Sequence, residues 1–352
     1  MGSNNLTGDI SMLNFSRLGQ LSKLDFRKNK FFGILPRSLY SCKSLKAVRM
    51  SYNDLEFQIQ PEIVSLKSLS FLSLGYNTRL TKVKEAMKIL MGCKRLVVLS
   101  LASSFVGEEL PADLGTVGFD GFQNLRVLDL SSCNLTGHIP LWLSKLKQLE
   151  ILDMSLNRFT GSIPSWMATL PRLYSISMES NLLSGELPKE LWTLPMLVSE
   201  QTAAKVAHNS LELPIFYPIV NHTIPLQYNY LLYFPSVIYL NDNSLSGNIP
   251  SEIGQLQLLQ PLDLSANKFS GHIPDQISNL KRMEELDLSM SHFSGEIPAS
   301  FASLISYQGS MSRTIISKAQ YHQALSSKVS MPLFFRGIRN FAVLHFQMSV
   351  TQ

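Results

Sequence analysis

The polar side chains that recur at a fixed interval in this chain are suited to recognition, not to bond-making. Asp129, Asp153 and Ser177 are each 24 residues apart, and Ser131, Ser155 and Glu179 follow at the same interval. Glu150 and Tyr174 flank them. Carboxylates and hydroxyls in this order make an acidic, hydroxyl-rich surface that can donate and accept hydrogen bonds. Nearer the start, Arg27 and Arg49, with Lys23 close by, project from the same register. A guanidinium offers a fork of donors that matches an oxyanion, so these are candidate anion readers. A plain solvated face uses the same residue types. No catalytic constellation accompanies them. There is no Gly-x-Gly-x-x-Gly loop, no kinase His-Arg-Asp and no zinc spacing among the three cysteines, and the seven histidines are scattered. Catalytic residues, metal ligands and cofactors are therefore expected to be absent.

The element that must position these residues is visible from Leu125 to Pro188. Three lines begin at Leu125, Leu149 and Leu173. Each runs through a Leu-x-Leu-like core (Leu128/Leu130, Leu152/Met154, Ile176/Met178) to a polar slot (Cys133, Asn157, Asn181). Each then closes on Gly-x-Ile/Leu-Pro, at Gly137–Pro140, Gly161–Pro164 and Gly185–Pro188. Period-2 alternation makes the core a short strand with its leucines inward. One such unit cannot bury its apolar side, but stacked units can, giving a solenoid with a parallel sheet. The slot asparagine can satisfy backbone groups of adjacent coils that would otherwise be buried and unpaired. A helical bundle is excluded by a Gly and a Pro in every period.

This pattern resembles the plant-type leucine-rich repeat over roughly residues 4 to 304. The resemblance implies an α/β repeat solenoid, a right-handed superhelix with a concave parallel β-sheet, in which the second half of each repeat adds a further short strand. The slots fall at Asn29, Asn53 and Asn77, then Ser104 and Cys133 after gaps of 27 and 29, then Asn157 and Asn181. Lys82 to Lys94 is expected to form a helix on the convex side. A gap of 62 then separates Asn181 from Asn243, leaving an insertion of 38 residues after one normal repeat. Asn243, Asn267 and Ser291 restore the period. The expected organisation is solenoid over 1–192, an island over 193–235, solenoid over 236–304, and a tail over 305–352. Long excursions from a regular scaffold tend to carry function.

The net charge of +5 belongs to the tail, where Arg313, Lys318, Lys328, Arg336 and Arg339 meet no acidic residue. The remainder is neutral, so no nucleic-acid partner is inferred. Cys133 fills a slot, while Cys42 and Cys93 lie between strands. All three are expected to be buried free thiols. Sequons at Asn5, Asn14, Asn134 and Asn221 mark candidate glycosylation sites. No leader and no apolar run long enough to span a membrane is visible.

The island's wording carries a narrower resemblance. Leu226-Gln-Tyr-Asn229, then Phe234-Pro235, then Asn243-Ser-Leu-Ser-Gly-Asn-Ile-Pro250 is similar to the plant receptor-like kinases of the phytosulfokine and sulfated-glycopeptide receptor group. In that group the island packs on the concave face and a tyrosine-sulfated peptide adds as a strand. A co-receptor kinase of the leucine-rich repeat class is recruited at the plasma membrane, on its extracellular side. By motif, Ile215 to Val220 match the peptide-pairing strand, with Phe216 and Tyr217 against the peptide or anchoring the island. The chain lacks the basic residues that phytosulfokine receptors carry before the sequon, and the sulfated-glycopeptide branch fits better. The resemblance also implies truncation at both ends. Ile305–Arg313, Ala319–Ala324 and Arg336–Val343 match the family's wording read one base later, which implies a lost frame near Leu304 and a disordered tail. The functional expectation is a peptide-binding ectodomain fragment without a kinase. The alternatives are a secreted repeat inhibitor or defence protein and a non-functional truncated product.

Overall fold

The computed structural model describes residues 2–114, 121–206, 212–220, 225–230, 234–301 and 314–316. Its spine is an 11-stranded sheet in which every neighbouring pair is parallel. The strands are three residues or fewer, from Lys23–Asp25 through Val127–Asp129 and Ile151–Asp153 to Glu285–Asp287. Leucines at the inward positions, such as Leu72, Leu99, Leu128 and Leu152, are fully buried. The stacked coils thus share one continuous core, as expected for a quasi-one-dimensional repeat.

The second half of the repeat makes its own parallel strands beside this sheet. One set is Thr7–Asp9, Lys30–Gly33 and Asp54–Leu55; the other runs from Thr160–Gly161 through Leu182–Glu186 and Ser244–Asn248 to His292–Phe293. The glycine in this half is required by packing. At Gly161, φ is +82°, and an added Cβ would come 2.5 Å from the His138 ring of the preceding coil. The following proline sets an extended residue that starts a tight 3-10 turn, as at Leu141–Lys145 and Ser165–Thr169. The two lateral sets are interrupted where the helix Val83–Leu90 fills the convex side. Glu108 of the next coil accepts from the Lys82 and Val83 N–H groups, both at 2.7 Å, and so caps that helix.

The slot residues form the expected ladder. Asn157 Oδ1 accepts from Leu135 N at 2.9 Å, and Nδ2 donates to the carbonyls of Leu130, Met154 and Ser155 at 2.9 to 3.0 Å. Cys133 occupies its slot with a thiol that donates to Leu101 O and Ser131 O. All three cysteines are free and buried. The residue before the slot takes a left-handed backbone in coil after coil, with φ of 55° at Lys28, 60° at Tyr52, 59° at Tyr76 and 54° at Leu156. That conformation is unfavourable for side chains other than glycine. It is held because each such N–H reaches the next coil, for example Tyr52 N to Gly75 O and Leu156 N to Glu179 O, both 2.9 Å.

The ladder passes over the inserted segment without a break. Ile176 pairs with Ile238, Leu183 N donates to Asn243 Oδ1 at 3.0 Å, and Leu258 N donates to Leu197 O at 2.9 Å. Between them lie helices Pro195–Val198 and Glu200–Val206 and an antiparallel hairpin, Glu212–Val220 with Pro225–Tyr230. The hairpin's first strand lies over the Phe71–Ser73 strand of the concave sheet, and Leu213 is buried in the common core. In the tail, Thr314–Ile316 pairs in register with Glu285–Asp287, adding a strand where the sequence shows no repeat. The expectation of disorder over the rest of 305–352 lies outside the described residues.

Candidate functional site

Register fixes which side chains share the concave face. Asp25, Arg49, Ser73, Ser100, Asp129, Asp153, Ser177, Tyr239, Asp263 and Asp287 align strand by strand in one row. Neighbouring members sit about 4.8 Å apart in the hydrogen-bonding direction. Two residues earlier runs a second row in which Ala47, Phe71, Val98, Val127 and Ile151 are apolar and buried although their positions face outward. The hairpin's first strand passes over the Phe71–Ser73 strand of this stripe, while Val127 and Ile151 line the cavity described next. The stripe escaped the sequence reading. Its signal was available: apolar residues at strand positions where alternation puts water.

Along the far part of this stripe a cavity of about 380 Å³ opens on the concave face. Its floor includes Ser100, Asp129, Asp153, Ser155, Ser177 and Glu179, and its walls include Arg49, Tyr52, Tyr76 and Tyr239. Phe234 and Pro235, where the insert rejoins the solenoid, close one side. The structure therefore brings Asp153, Ser155, Ser177, Glu179 and Arg49 together. Arg27 is not in the lining; its guanidinium lies over the Tyr52 ring, 5.7 Å from the centroid. Tyr174 is 7 % exposed and sits at the sheet edge beside the Arg126–Glu150–Arg172 ion network, away from the cavity. Ile215, Phe216 and Tyr217 fall on the hairpin's first strand, with Tyr217 opposite Tyr228, and the register shifts between Glu212 and Tyr217. Asn5, Asn14 and Asn134 are exposed, while Asn221 lies outside the described residues.

The floor is electrostatically tense. Asp129 and Asp153 are directly opposed, and like charges in that relation repel. Each is oriented by a serine two residues on: Ser131 N and Oγ donate to Asp129 Oδ1, and Ser155 N and Oγ donate to Asp153 Oδ1. Ser100 Oγ also donates to Asp129 Oδ2 at 2.8 Å. Burial, with the charges of Asp129 and Glu179 beside it, pushes the Asp153 carboxyl up to about 7 against the pull of the Ser155 hydrogen bonds. At the other end Arg49 is ion-paired to Asp25. Burial raises the Asp25 carboxyl, but the Arg49 contact, the Arg27 N–H and the charge of the amino terminus together outweigh it and the net shift is downward. Among the described residues, no group of three or more His, Cys, Asp or Glu is placed to hold a metal ion, and no helix is long and apolar enough to cross a membrane.

The structure is a repeat solenoid whose concave face carries a cavity lined by carboxylates, hydroxyls and Arg49. Comparison with known proteins agrees with this class. Leucine-rich repeat family models match residues 114–197 and, beyond the insert, 236–256, 262–280 and 282–304. Receptor-like protein 3 of Arabidopsis thaliana is 45% identical over 256 residues, 73% of this chain and 34% of the relative. Phytosulfokine receptor 1 of the same plant is 48% identical over 200 residues, 57% of this chain and 19% of the relative. Among solved structures, the leucine-rich repeat ectodomain of the Arabidopsis membrane receptor kinase GASSHO1/SCHENGEN3, in complex with Casparian strip integrity factor 2, superposes with a TM-score of 0.58 at 25% identity. The match covers 90% of this chain and 38% of that one. The chain thus carries plant receptor-type leucine-rich repeats and is homologous to receptor-like proteins and phytosulfokine receptors. It spans about a third of the first of these relatives and about a fifth of the second.

Proposed function

We propose that this chain is the ligand-reading part of a plant receptor that senses a tyrosine-sulfated peptide on the extracellular side of the plasma membrane. The observation that carries this reading is the cavity formed where the insert meets the concave sheet, in a chain homologous to phytosulfokine receptors. An extended peptide can pair with an edge of the hairpin while its side chains enter the cavity, a mode in which backbone bonds give affinity and alternate side chains give specificity. Arg49 is the cavity's cation and the natural partner of a sulfate, with Arg27 behind Tyr52 adding positive potential. A leucine-rich repeat co-receptor kinase is the partner expected to dock once the peptide is seated. Asn5, Asn14 and Asn134 are the proposed glycan acceptors on the exposed surface, with Asn221 as the fourth sequon.

The test is calorimetric titration of the whole chain with matched tyrosine-sulfated and unsulfated peptides. Tighter binding of the sulfated form, weakened at least tenfold by Arg49→Ala, is the expected result. Equal affinity for the two forms in a folded chain would remove the sulfate from the proposal; no affinity for either would remove the peptide.

A further inference from the structure

The rim of the cavity carries a stack that stops in mid-course. Lys28, Tyr52, Tyr76, Ser103, Ser132, Leu156 and Ser180 occupy one ladder, each with φ between 50° and 60° and each donating its N–H to the next coil. Tyr52 and Tyr76 stack in parallel, with centroids 4.0 Å apart and an interplanar angle of 9°. The Arg27 guanidinium covers the outer face of Tyr52. On the other side the next two rim positions are the small residues Ser103 and Ser132, and the next large one is Leu156. Three ladder steps of about 4.8 Å separate Tyr76 from Leu156. Tyr76 is 37 % exposed and lines the cavity. Asp129 and Asp153 line the same cavity, and the Tyr76 hydroxyl is raised by burial, by the Tyr52 hydroxyl and by the charges of these two carboxylates.

We propose that the open face of Tyr76 together with Asp129 and Asp153 forms a subsite for a guanidinium group, and that the peptide read by this cavity places an arginine there. The inference rests on the peptide reading above and adds its chemistry. The chain shows the two halves of this arrangement on separate arginines at the far end of the same stack, where Arg27 caps Tyr52 and Arg49 pairs with Asp25. A guanidinium is planar, stacks on a ring face and forks onto carboxylates, which an ammonium does less well. An aromatic sulfate in this position would meet two carboxylates. The cavity is therefore bipolar, with the anion taken at the Arg49 end and the cation on Tyr76. The groups facing the Asp129–Asp153 pair are Glu179, Tyr76, Tyr239 and, along the row, Arg49 held by Asp25. A guanidinium displaces the proton Asp153 holds at neutral pH, so affinity rises as pH increases through about 7.

The probes are N-acetyl-arginine methylamide and its citrulline counterpart, titrated against the whole chain by saturation-transfer NMR at pH 5.5, 7 and 8.5. Saturation of the arginine side chain but not of citrulline is expected. Tyr76→Ser, a residue the fold already places at Ser103, Ser132 and Ser180, should weaken binding about tenfold, and Tyr76→Phe should restore it. Asp153→Asn, which can still accept from Ser155, should flatten the pH profile. Equal saturation of the two probes, wild-type affinity in Tyr76→Ser, or no arginine signal would overturn the subsite. Binding of a sulfated peptide without arginine recognition would sink this inference and leave the receptor reading standing. Arginine recognition without sulfated-peptide binding would do the reverse.

Discussion

Asp153 and Asp129 face one another across a single strand step, and the consequence reaches beyond ligand binding to stability. An ordinary aspartate titrates near 4, whereas burial and the neighbouring Asp129 charge raise the Asp153 carboxyl, and with it the coupled pair, to about 7. Between those values the folded state holds a proton that the unfolded state has released. Stability therefore falls as pH rises from about 4 to 7 and is level above that window. Asp153→Asn should be more stable than the wild type at pH 8, with the gain vanishing below pH 4. Denaturant midpoints of the two proteins across pH 3.5 to 8.5 read this directly, and parallel curves would refute it. A second residue-scale case is Asn157, whose amide serves four backbone groups. Asn157→Ala leaves buried backbone groups unpaired and should cost about 3 kcal/mol; a loss below about 0.5 kcal/mol would mean water replaces the amide. The ladder was legible because a side-chain amide is both donor and acceptor, which a buried turn beside a sheet needs. Tyr174 was harder to place from sequence. The first variable position of the repeat, which also holds Arg126 and Glu150, precedes the strand and turns to the sheet edge, so alternation does not govern it.

At the scale of elements, strands, proline turns and lateral strands follow from the repeat itself, because each is local and recurs at a fixed interval. The hairpin's position is a different problem. Its two strands pair with each other, and its first strand meets the solenoid at Phe71–Ser73, within an apolar row that runs from Ala47 to Ile151 over five separate coils. No local pattern in the insert encodes that contact; it can be read only by lining up the outward positions of distant repeats. Phe71 is the largest member of the stripe and fully buried, on the strand over which the hairpin passes. Serine already occupies the same row at Ser175, so Phe71→Ser is compatible with the sheet. The substitution should loosen the hairpin while the coils remain stacked. Limited proteolysis should then cut within residues 207–233 several times faster than in the wild type, with an unchanged far-ultraviolet circular dichroism spectrum. Unchanged cutting would show that the hairpin is held by something other than the stripe.

For the whole molecule, the decisive fact is that the insert is spliced into a solenoid whose own contacts close around it. The concave sheet, the asparagine ladder and the convex turns all connect the coil ending near Leu197 to the coil beginning near Phe234. In a one-dimensional stack, stability is the sum of each coil and its interfaces with its neighbours, and those interfaces do not pass through the hairpin. Replacing residues 207–233 by a short glycine–serine linker should therefore leave the repeat array folded, with loop closure changing by only about 1 kcal/mol. What the replacement removes is the cover. Phe71 would join Val127 and Ile151 of the cavity wall in a wider apolar strip on the concave face, and such strips bind hydrophobic dyes. The expected outcome is native-like circular dichroism, a strong rise in anilinonaphthalene sulfonate fluorescence, and loss of peptide binding. Collapse of the circular dichroism signal would mean the insert is a structural strut of the solenoid. In that case the cavity would be a by-product of folding, and a ligand-reading role would lose its main structural support.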